Sequence, residues 1–341
     1  MSQVTVIVLN WNGVEVLPLC LAGLRCQTYA HFTVWVIDNG STDGSAVWVR
    51  EHHPEVTVIA HGENRGFCRA YNEALRLVAT PYVALLNNDA VPDPGWLSCL
   101  VNALETDPGA WAAASKMVFW DFPDVIDRAG DAYTWEGAAL MRGRGEKAWR
   151  YGKKERVFGA CAGAALYRTS VFRELGFFDE DFFLLHEDVD VSFRARLWGY
   201  ECVYVPEALV YHKAGYSVGR ESATAVYYGH RNVEWVYLKN MPTALLCVTW
   251  PIHLFYVTAA GMYFLCRGRG RWFLAAKRDA LRHGKEVLRK RSAVQKRRVV
   301  SSLTILRSLS RNVLVTRLRS KRLRLFEEVV REGNLSERLS P

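Results

Sequence analysis

Asn87-Asn88-Asp89 closes the apolar run Tyr82-Val83-Ala84-Leu85-Leu86, and polar side chains at the C-terminal mouth of a buried strand are poorly explained by packing. In open α/β sheets that mouth is where ligands bind. Far downstream comes His186-Glu187-Asp188-Val189-Asp190, and then His212 at the end of a second strand-like run, Leu209-Val210-Tyr211. Two carboxylate clusters and a histidine suggest a divalent cation beside a base. Asn87 and Asp89 alternate along the chain, so an amide oxygen and a carboxylate could face one hard cation. Mg²⁺ or Mn²⁺ suits such oxygen ligands and tolerates an added imidazole, here that of His212. Glu187-Asp188 reads as a helix start, where acidic capping is routine. A helix N-terminus also favours the charged form of a carboxylate, which is what a base accepting a hydroxyl proton needs.

These residues require a scaffold that brings distant segments to one edge. Val4 to Leu9, Thr33 to Ile37, Val56 to Ala60 and Tyr82 to Leu86 are short β-rich runs. Between them lie stretches with helical spacing, such as Val16-Leu17, Leu21 and Leu24, or Ala70, Ala74-Leu75 and Val78. Strands alternating with helices predict an α/β protein with a doubly wound, mostly parallel sheet. Asn10-Trp11-Asn12-Gly13 and Asp38-Asn39-Gly40-Ser41-Thr42-Asp43 fall at strand ends. There an Asp can accept from the imide N–H of a pyrimidine, and a helix N-terminus can meet an anion, although ordinary capping accounts for the same residues. No Gly-x-Gly-x-x-Gly follows the first strand and no Gly-Lys-[Ser/Thr] loop occurs, which argues against dinucleotide and P-loop chemistry.

The first half is expected to run to about residue 120. Residues 121–154 read as irregular, with Trp120, Trp135 and Trp149 anchoring the segment or stacking on a sugar face. A Gly/Ala-rich strand over 157–166, a helix from Glu187 and a strand Cys202 to Val205 follow. The chain is therefore expected to divide into 1–240, in two halves (1–120 and 121–240), and 241–341, an apolar segment plus basic amphipathic helices.

Charge is unevenly spread. The formal net charge is +9, yet from Arg267 onward there are 22 Lys+Arg and 6 Asp+Glu, net +16. Ala244 to Cys266 carries no Asp, Glu, Lys or Arg and is broken only by Pro251 and His253. An apolar segment joined to basic amphipathic helices predicts an anionic membrane surface as partner and excludes nucleic acid, since a soluble nucleic-acid binder has no use for the apolar stretch. Keeping Lys and Arg cytoplasmic favours a peripheral or re-entrant segment on the cytoplasmic face over a single span. The eight scattered cysteines read as reduced core thiols, and the N-terminus shows no secretory pattern.

The ordered set Val6-Ile-Val-Leu-Asn-Trp-Asn-Gly13, Val36-Ile-Asp-Asn-Gly-Ser-Thr-Asp-Gly-Ser45, Asn64-Arg-Gly-Phe-Cys-Arg-Ala-Tyr-Asn72, Leu85-Leu-Asn-Asn-Asp89, Gly176-Phe-Phe-Asp-Glu-Asp-Phe-Phe183 and Glu187-Asp-Val-Asp-Val-Ser-Phe-Arg194 resembles the family 2 glycosyltransferases. Within them it is similar to the rhamnosyltransferase-like branch of cell-surface polysaccharide assembly. The resemblance spans residues 4–240. It implies a GT-A (nucleotide-diphospho-sugar transferase) fold and an inverting transfer from a nucleoside-diphosphate sugar, rhamnose among the candidates, to a glycan or lipid-linked glycan acceptor. Carried onto this chain, it makes Asp38 and the Asn10-Trp11 backbone holders of the base, Asp89 the metal residue on the diphosphate, His212 a further metal or diphosphate ligand, and Asp188 the general base. Asn88 and Arg65 complete the expected nucleotide-sugar contacts, Arg65 as a diphosphate partner. The family's Asp-x-Asp stands here as Asn87-Asn88-Asp89, one formal charge short, which lowers the expected cation affinity. That departure motivates a second reading, a catalytically weak glycan-binding or scaffold protein of the same fold at the membrane.

Overall fold

The computed structural model describes residues 2–213 and 222–310. Its N-terminal part alternates strand and helix as the hydrophobic pattern predicts: β1 (Val4–Asn10), α1 (Leu17–Arg25), β2 (Phe32–Asp38), α2 (Ser45–His52), β3 (Thr57–Ala60), α3 (Phe67–Leu77) and β4 (Tyr82–Asn87). β1 pairs in parallel with β2 and β4, so their C-terminal ends lie at one edge, with Asn10 opposite Asp38 and Leu9 opposite Asn87. Val4, Val6, Ile7 and Val8 of β1 are all buried, as in a strand covered by helices on both faces.

β5 (Ala90–Pro92), α4 (Trp96–Glu105) and β6 (Ala110–Phe119) lead into the second half. Residues 121–154, expected to be irregular, contain β7 (Phe122–Ala129), β8 (Asp131–Tyr133) and β9 (Ala139–Met141). The glycines there serve turns between short strands: Gly130, Gly137, Gly143 and Gly145 all have positive φ. The single strand expected over 157–166 is two, β10 (Glu155–Val157) and β11 (Ala164–Arg168). Between them the backbone passes so close to its neighbours that a Cβ on Gly159 would lie 2.5 Å from Ser192 and one on Gly163 3.0 Å from Asn87. Next come α5 (Thr169–Glu174), α6 (Glu187–Leu197) and β12 (Glu201–His212). β12 joins two runs that the sequence shows as separate, because its register on β6 shifts between Val205 and Leu209, around Pro206, which has no N–H to donate. The sheet order is β10-β12-β6-β11-β4-β1-β2-β3, with β11 antiparallel to both neighbours and β12 parallel to β6.

Helices α7 (Ala223–Asn240), α8 (Thr243–Cys266), α9 (Gly270–Arg282), α10 (Gly284–Lys296) and α11 (Ser302–Ser308) pack on this second half. The core around Tyr167 and Phe172 continues into Leu245, Val287, Val294, Ile305 and Leu309, so the hydrophobic cluster crosses position 240. Among the described residues, α8 alone is long and apolar enough to cross a membrane. It is one continuous helix through Pro251, with Leu245, Thr249, His253, Ala260 and Gly261 buried. Val248, Trp250, Ile252, Leu254, Phe255, Met262 and Leu265 are exposed. All eight cysteines are free, but Cys26, Cys247 and Cys266 are exposed, which corrects the reading of them as core thiols. Cys247 and Cys266 lie on α8, where an apolar sequence context does not mean a buried one.

Candidate active site

The C-terminal ends of β1 and β2 are stitched together by Asn10, which is fully buried. Its Nδ2 donates to Asp38 Oδ1 (3.0 Å) and Ser45 Oγ (2.8 Å), and its Oδ1 accepts from Asn88 Nδ2 (2.8 Å). Asp38 Oδ2 accepts from the Ser41 backbone N–H (3.1 Å). Asp43 ties the β1 loop to the start of α2, accepting from Val14 N and Ser45 N. Gly13 is required by this closeness: a Cβ there would sit 2.1 Å from Asn88 Nδ2 and 2.5 Å from Asn10 Oδ1. Asn10 thus orients Asp38 and Asn88 through its side chain, while Trp11 stands about half exposed at 48%. Arg65 lies on the rim, its backbone N–H bonded to Asn39 Oδ1 and its guanidinium held by both oxygens of Glu73 at 2.8 and 3.0 Å.

β4 ends at Asn87 and the chain turns at Asn88-Asp89. Strand alternation therefore stops, and the expected common direction of Asn87 and Asp89 is lost. Asn87 packs against Gly163, Asn88 bonds to Asn10, and Asp89 faces His212. His212 lies between two carboxylates, Nε2 3.2 Å from Asp89 Oδ1 and Nδ1 2.8 Å from Asp127 Oδ2. Burial opposes charge on this imidazole, but the hydrogen bonds to Asp127 and Asp89 outweigh it and raise its pKa to about 9. Asp127 is also buried, and the positive charges of Arg144 and His212 overcome that burial to hold its carboxyl well below the usual range.

Asp188 occupies the first turn of α6. Its Oδ1 accepts from the Val189 N–H at 2.8 Å, and its Oδ2 lies 3.3 Å from Arg128 Nη1, which is 3.3 Å from Asp131 as well. Burial, reinforced by the charge of Asp188, pushes Glu187 up to about 8. Burial likewise pushes Asp131 up to about 7 against the opposing charge of Arg128. Asp131 Oδ2 and Glu187 Oε2 are buried oxygens that take no hydrogen bond, and Asp89 Oδ1 is buried against the His212 imidazole. The segment entering α6 is strained: Phe183, Leu185 and His186 all have positive φ, at 62, 67 and 70°.

Asp127, Arg128 and Asp131 are the residues that sequence reading missed. Their signal was the β-prone pair Val125-Ile126 just before them, inside a segment taken as loop. Asp127 touches His212 and Arg128 touches Asp188, so two consecutive residues of β7 join the Asp89 cluster to the Asp188 cluster. Among the described residues no group of three His, Cys, Asp or Glu side chains is arranged to hold a metal ion.

An open sheet with Asn10, Asp38 and Asp89 gathered at its carboxyl edge matches the GT-A fold of nucleotide-sugar transferases. Solved structures of that architecture superimpose on the chain. GalNAc-T7 with UDP, GalNAc and Mn²⁺ gives a TM-score of 0.56 at 15% identity, covering 70% of this chain and 50% of that one. The mannosyltransferase PcManGT from Pyrobaculum calidifontis, in complex with GDP-Man and Mn²⁺, gives 0.50 at 18% identity and 86% of each chain. Residues 5–176 match the model of glycosyl transferase family 2, and the chain belongs to that family. A Mycobacterium tuberculosis H37Rv relative, N-acetylglucosaminyl-diphospho-decaprenol L-rhamnosyltransferase, is 29% identical over 236 residues, which are 62% of this chain and 76% of the relative.

Proposed function

We propose that this glycosyltransferase is inverting and moves a sugar from a nucleoside-diphosphate donor to a hydroxyl of a lipid-linked glycan at the cytoplasmic face of a membrane, with 1–120 holding the donor and 121–240 the acceptor. The supporting observation is the β7 link, which ties the candidate diphosphate end, Asp89 and His212, to the candidate base, Asp188, through Asp127 and Arg128. The rhamnosyltransferase relative supports rhamnose as the sugar and a diphospho-polyprenol-linked acceptor.

Asp38 and Asn88, oriented by Asn10, hold the nucleoside end, while the Arg65–Glu73 pair borders it. Asp188 Oδ2 takes the acceptor hydroxyl proton. The freed oxygen bonds to the anomeric carbon from the face opposite the diphosphate, and the bond from that carbon to the diphosphate oxygen breaks, its electron pair leaving with the diphosphate. A single base suffices, unlike the two carboxylates of glycoside hydrolysis. The buried Asp89 carboxylate beside an imidazole fits a hard divalent cation, with Asp89 and, once the cation displaces its proton, His212 as its protein ligands. So few protein ligands suit Mg²⁺ or Mn²⁺, which commonly share their shell with substrate phosphates. When bound, the cation supplies positive charge against the leaving diphosphate.

Helix α8 seats the enzyme on the membrane by lying in its plane. His253, midway along α8, is buried: Nε2 lies 3.0 Å from Glu234 of α7, Nδ1 2.7 Å from the Glu136 carbonyl, and the ring stacks on Tyr237 at 3.8 Å. A helix fastened there to the catalytic body has its opposite, apolar face left for lipid, beside Arg267, Arg269 and Arg271.

The test is release of nucleoside diphosphate by the full-length chain in detergent. A panel of nucleotide sugars including a rhamnose donor is assayed with and without N-acetylglucosaminyl-diphospho-polyprenol. Acceptor-dependent release is expected. Donor binding with no release for any acceptor would favour the scaffold reading.

A further inference from the structure

The residue ahead of α6 adopts a conformation that L-residues avoid. Three of the four residues from Phe183 to His186 have positive φ, none of them glycine, and each such residue costs on the order of 1–3 kcal/mol. Strain of this kind persists only where the surroundings over-determine it. Here the restraint comes chiefly from one side chain on another element. Asn232 of α7 is fully buried, and its Nδ2 lies within hydrogen-bond distance of three carbonyls of this loop: Phe182 at 3.1 Å, Leu184 at 2.9 Å and Leu185 at 2.7 Å. Its Oδ1 accepts from Arg231 Nε at 3.0 Å, and Arg231 in turn donates to the Asp181 and Phe182 carbonyls at 2.7 and 3.0 Å. On the other side of the loop, the Phe67 N–H donates to the Phe183 carbonyl at 2.7 Å.

This restraint acts on the first turn of α6. The His186 carbonyl accepts the first bond of that helix, from Asp190 N at 2.9 Å, and Asp188 lies between them. The far end of α7 grips the same turn: Asn240 Nδ2 donates to Asp190 Oδ1 at 2.7 Å, and Lys239 Nζ lies 2.8 Å from the same oxygen. α6 is thus aimed from behind by α7, with Asn232 setting the direction in which the chain enters it.

We propose that Asn232 is a positioning residue for the transfer reaction, holding the 182–185 loop in its strained path so that Asp188 meets the acceptor hydroxyl. This rests on the reading of Asp188 as the base. It assigns to α7, outside the span matched by the family model, a part in the chemistry. A shift of about 1 Å in a reacting group can cost about 10²-fold in rate, and α6 begins directly where this loop ends.

The experiment uses the full-length chain and three variants, Asn232→Ala, Asp188→Asn and the double variant. Asn232→Ala should lower kcat about 10²-fold while leaving donor affinity within about twofold. In the Asp188→Asn background it should cost less than about threefold, because there is no base left to misplace. Hydrogen exchange of the amides of 183–190 should quicken in Asn232→Ala, and this readout does not depend on catalysis. Equal losses from Asn232→Ala in both backgrounds would overturn the proposal, as would a donor affinity that falls in step with kcat or unchanged exchange of 183–190. If Asp188→Asn kept full activity while exchange quickened as expected, the base reading would fail and the loop restraint would stand. Should Asn232→Ala not fold, Asn232→Ser, which also loses the donors to the loop, is held to the same outcomes.

Discussion

Asp188→Asn is the change that bears most directly on the mechanism, and its structural cost can be separated from its chemical one. In the wild type, Oδ1 takes the Val189 N–H and Oδ2 faces Arg128 at 3.3 Å. An asparagine keeps only one of these two acceptors. If its oxygen stays on Val189, the amide NH₂ faces a guanidinium; if it flips, Val189 loses its partner. Arg128 still has Asp131 at 3.3 Å, so the loss amounts to one buried hydrogen bond, about 1–3 kcal/mol. Set against about 5–15 kcal/mol for a typical domain, that leaves the protein folded. The donor side is untouched, since Asp38, Asn10 and Asn88 are held by one another and by Ser41 and Ser45 at the ends of β1 and β2. Donor affinity, measured by thermal shift or calorimetry, should therefore stay within about twofold. An amide cannot take a proton from the acceptor, and removal of a positioned base costs about 10²–10⁴ in rate, or about 2.7–5.4 kcal/mol of transition-state free energy. The assay is initial-rate release of nucleoside diphosphate at saturating donor. Retention of more than about a tenth of wild-type kcat would refute the assignment and direct attention to Glu187 and Asp190.

Glu187→Gln should behave differently, since burial raises the Glu187 pKa from 4.5 to about 8 and the side chain is mostly neutral at pH 7. An acid with a raised folded pKa contributes stability that is complete below pH 4.5 and lost as pH rises through about 8. Melting temperatures of Glu187→Gln should accordingly show less of that decline, and a parallel decline in both proteins would contradict the buried, neutral carboxyl. Gly13→Ala should weaken donor binding about tenfold or more by forcing Asn88 and Asn10 apart, with calorimetry as the check and unchanged affinity as the opposing result. Asp89→Ala and His212→Ala should each raise the Mn²⁺ concentration for half-maximal activity, whereas full wild-type activity in excess chelator would remove the cation from the mechanism. Phe255→Asp on the outer face of α8 should reduce sedimentation with anionic liposomes about tenfold, by losing roughly 1.5–3 kcal/mol of apolar burial, while donor binding is unchanged. Undiminished sedimentation would mean that lipid does not meet that face.

The sequence by itself determined the alternation of strand and helix through Asn87, the edge at which Asn10, Asp38 and Asp89 gather, and the apolar stretch that became α8. These are local properties: period-2 and period-3.6 burial patterns and turn-forming residues at strand ends are written in neighbouring positions. Only the tertiary structure decided the rest. Asn87 and Asp89 parted because β4 gives way to a turn one residue before alternation would have aligned them. The strands of 121–154 form by pairing with β6 and with each other rather than from strong propensity of their own. Asp127 and Arg128 therefore looked like loop charges until β7 set one against His212 and the other against Asp188. His253 read as an interruption in an apolar run, and it is a buried anchor to Glu234 and Tyr237. The three positive-φ residues before α6 left no mark in composition, because the glycine-free strain there is imposed from outside by Asn232, a contact across 47 to 50 residues of chain. Periodicity reports what a segment does with its own neighbours; which charges meet, and which backbone is held out of its preferred shape, depends on partners that only folding brings within hydrogen-bond reach.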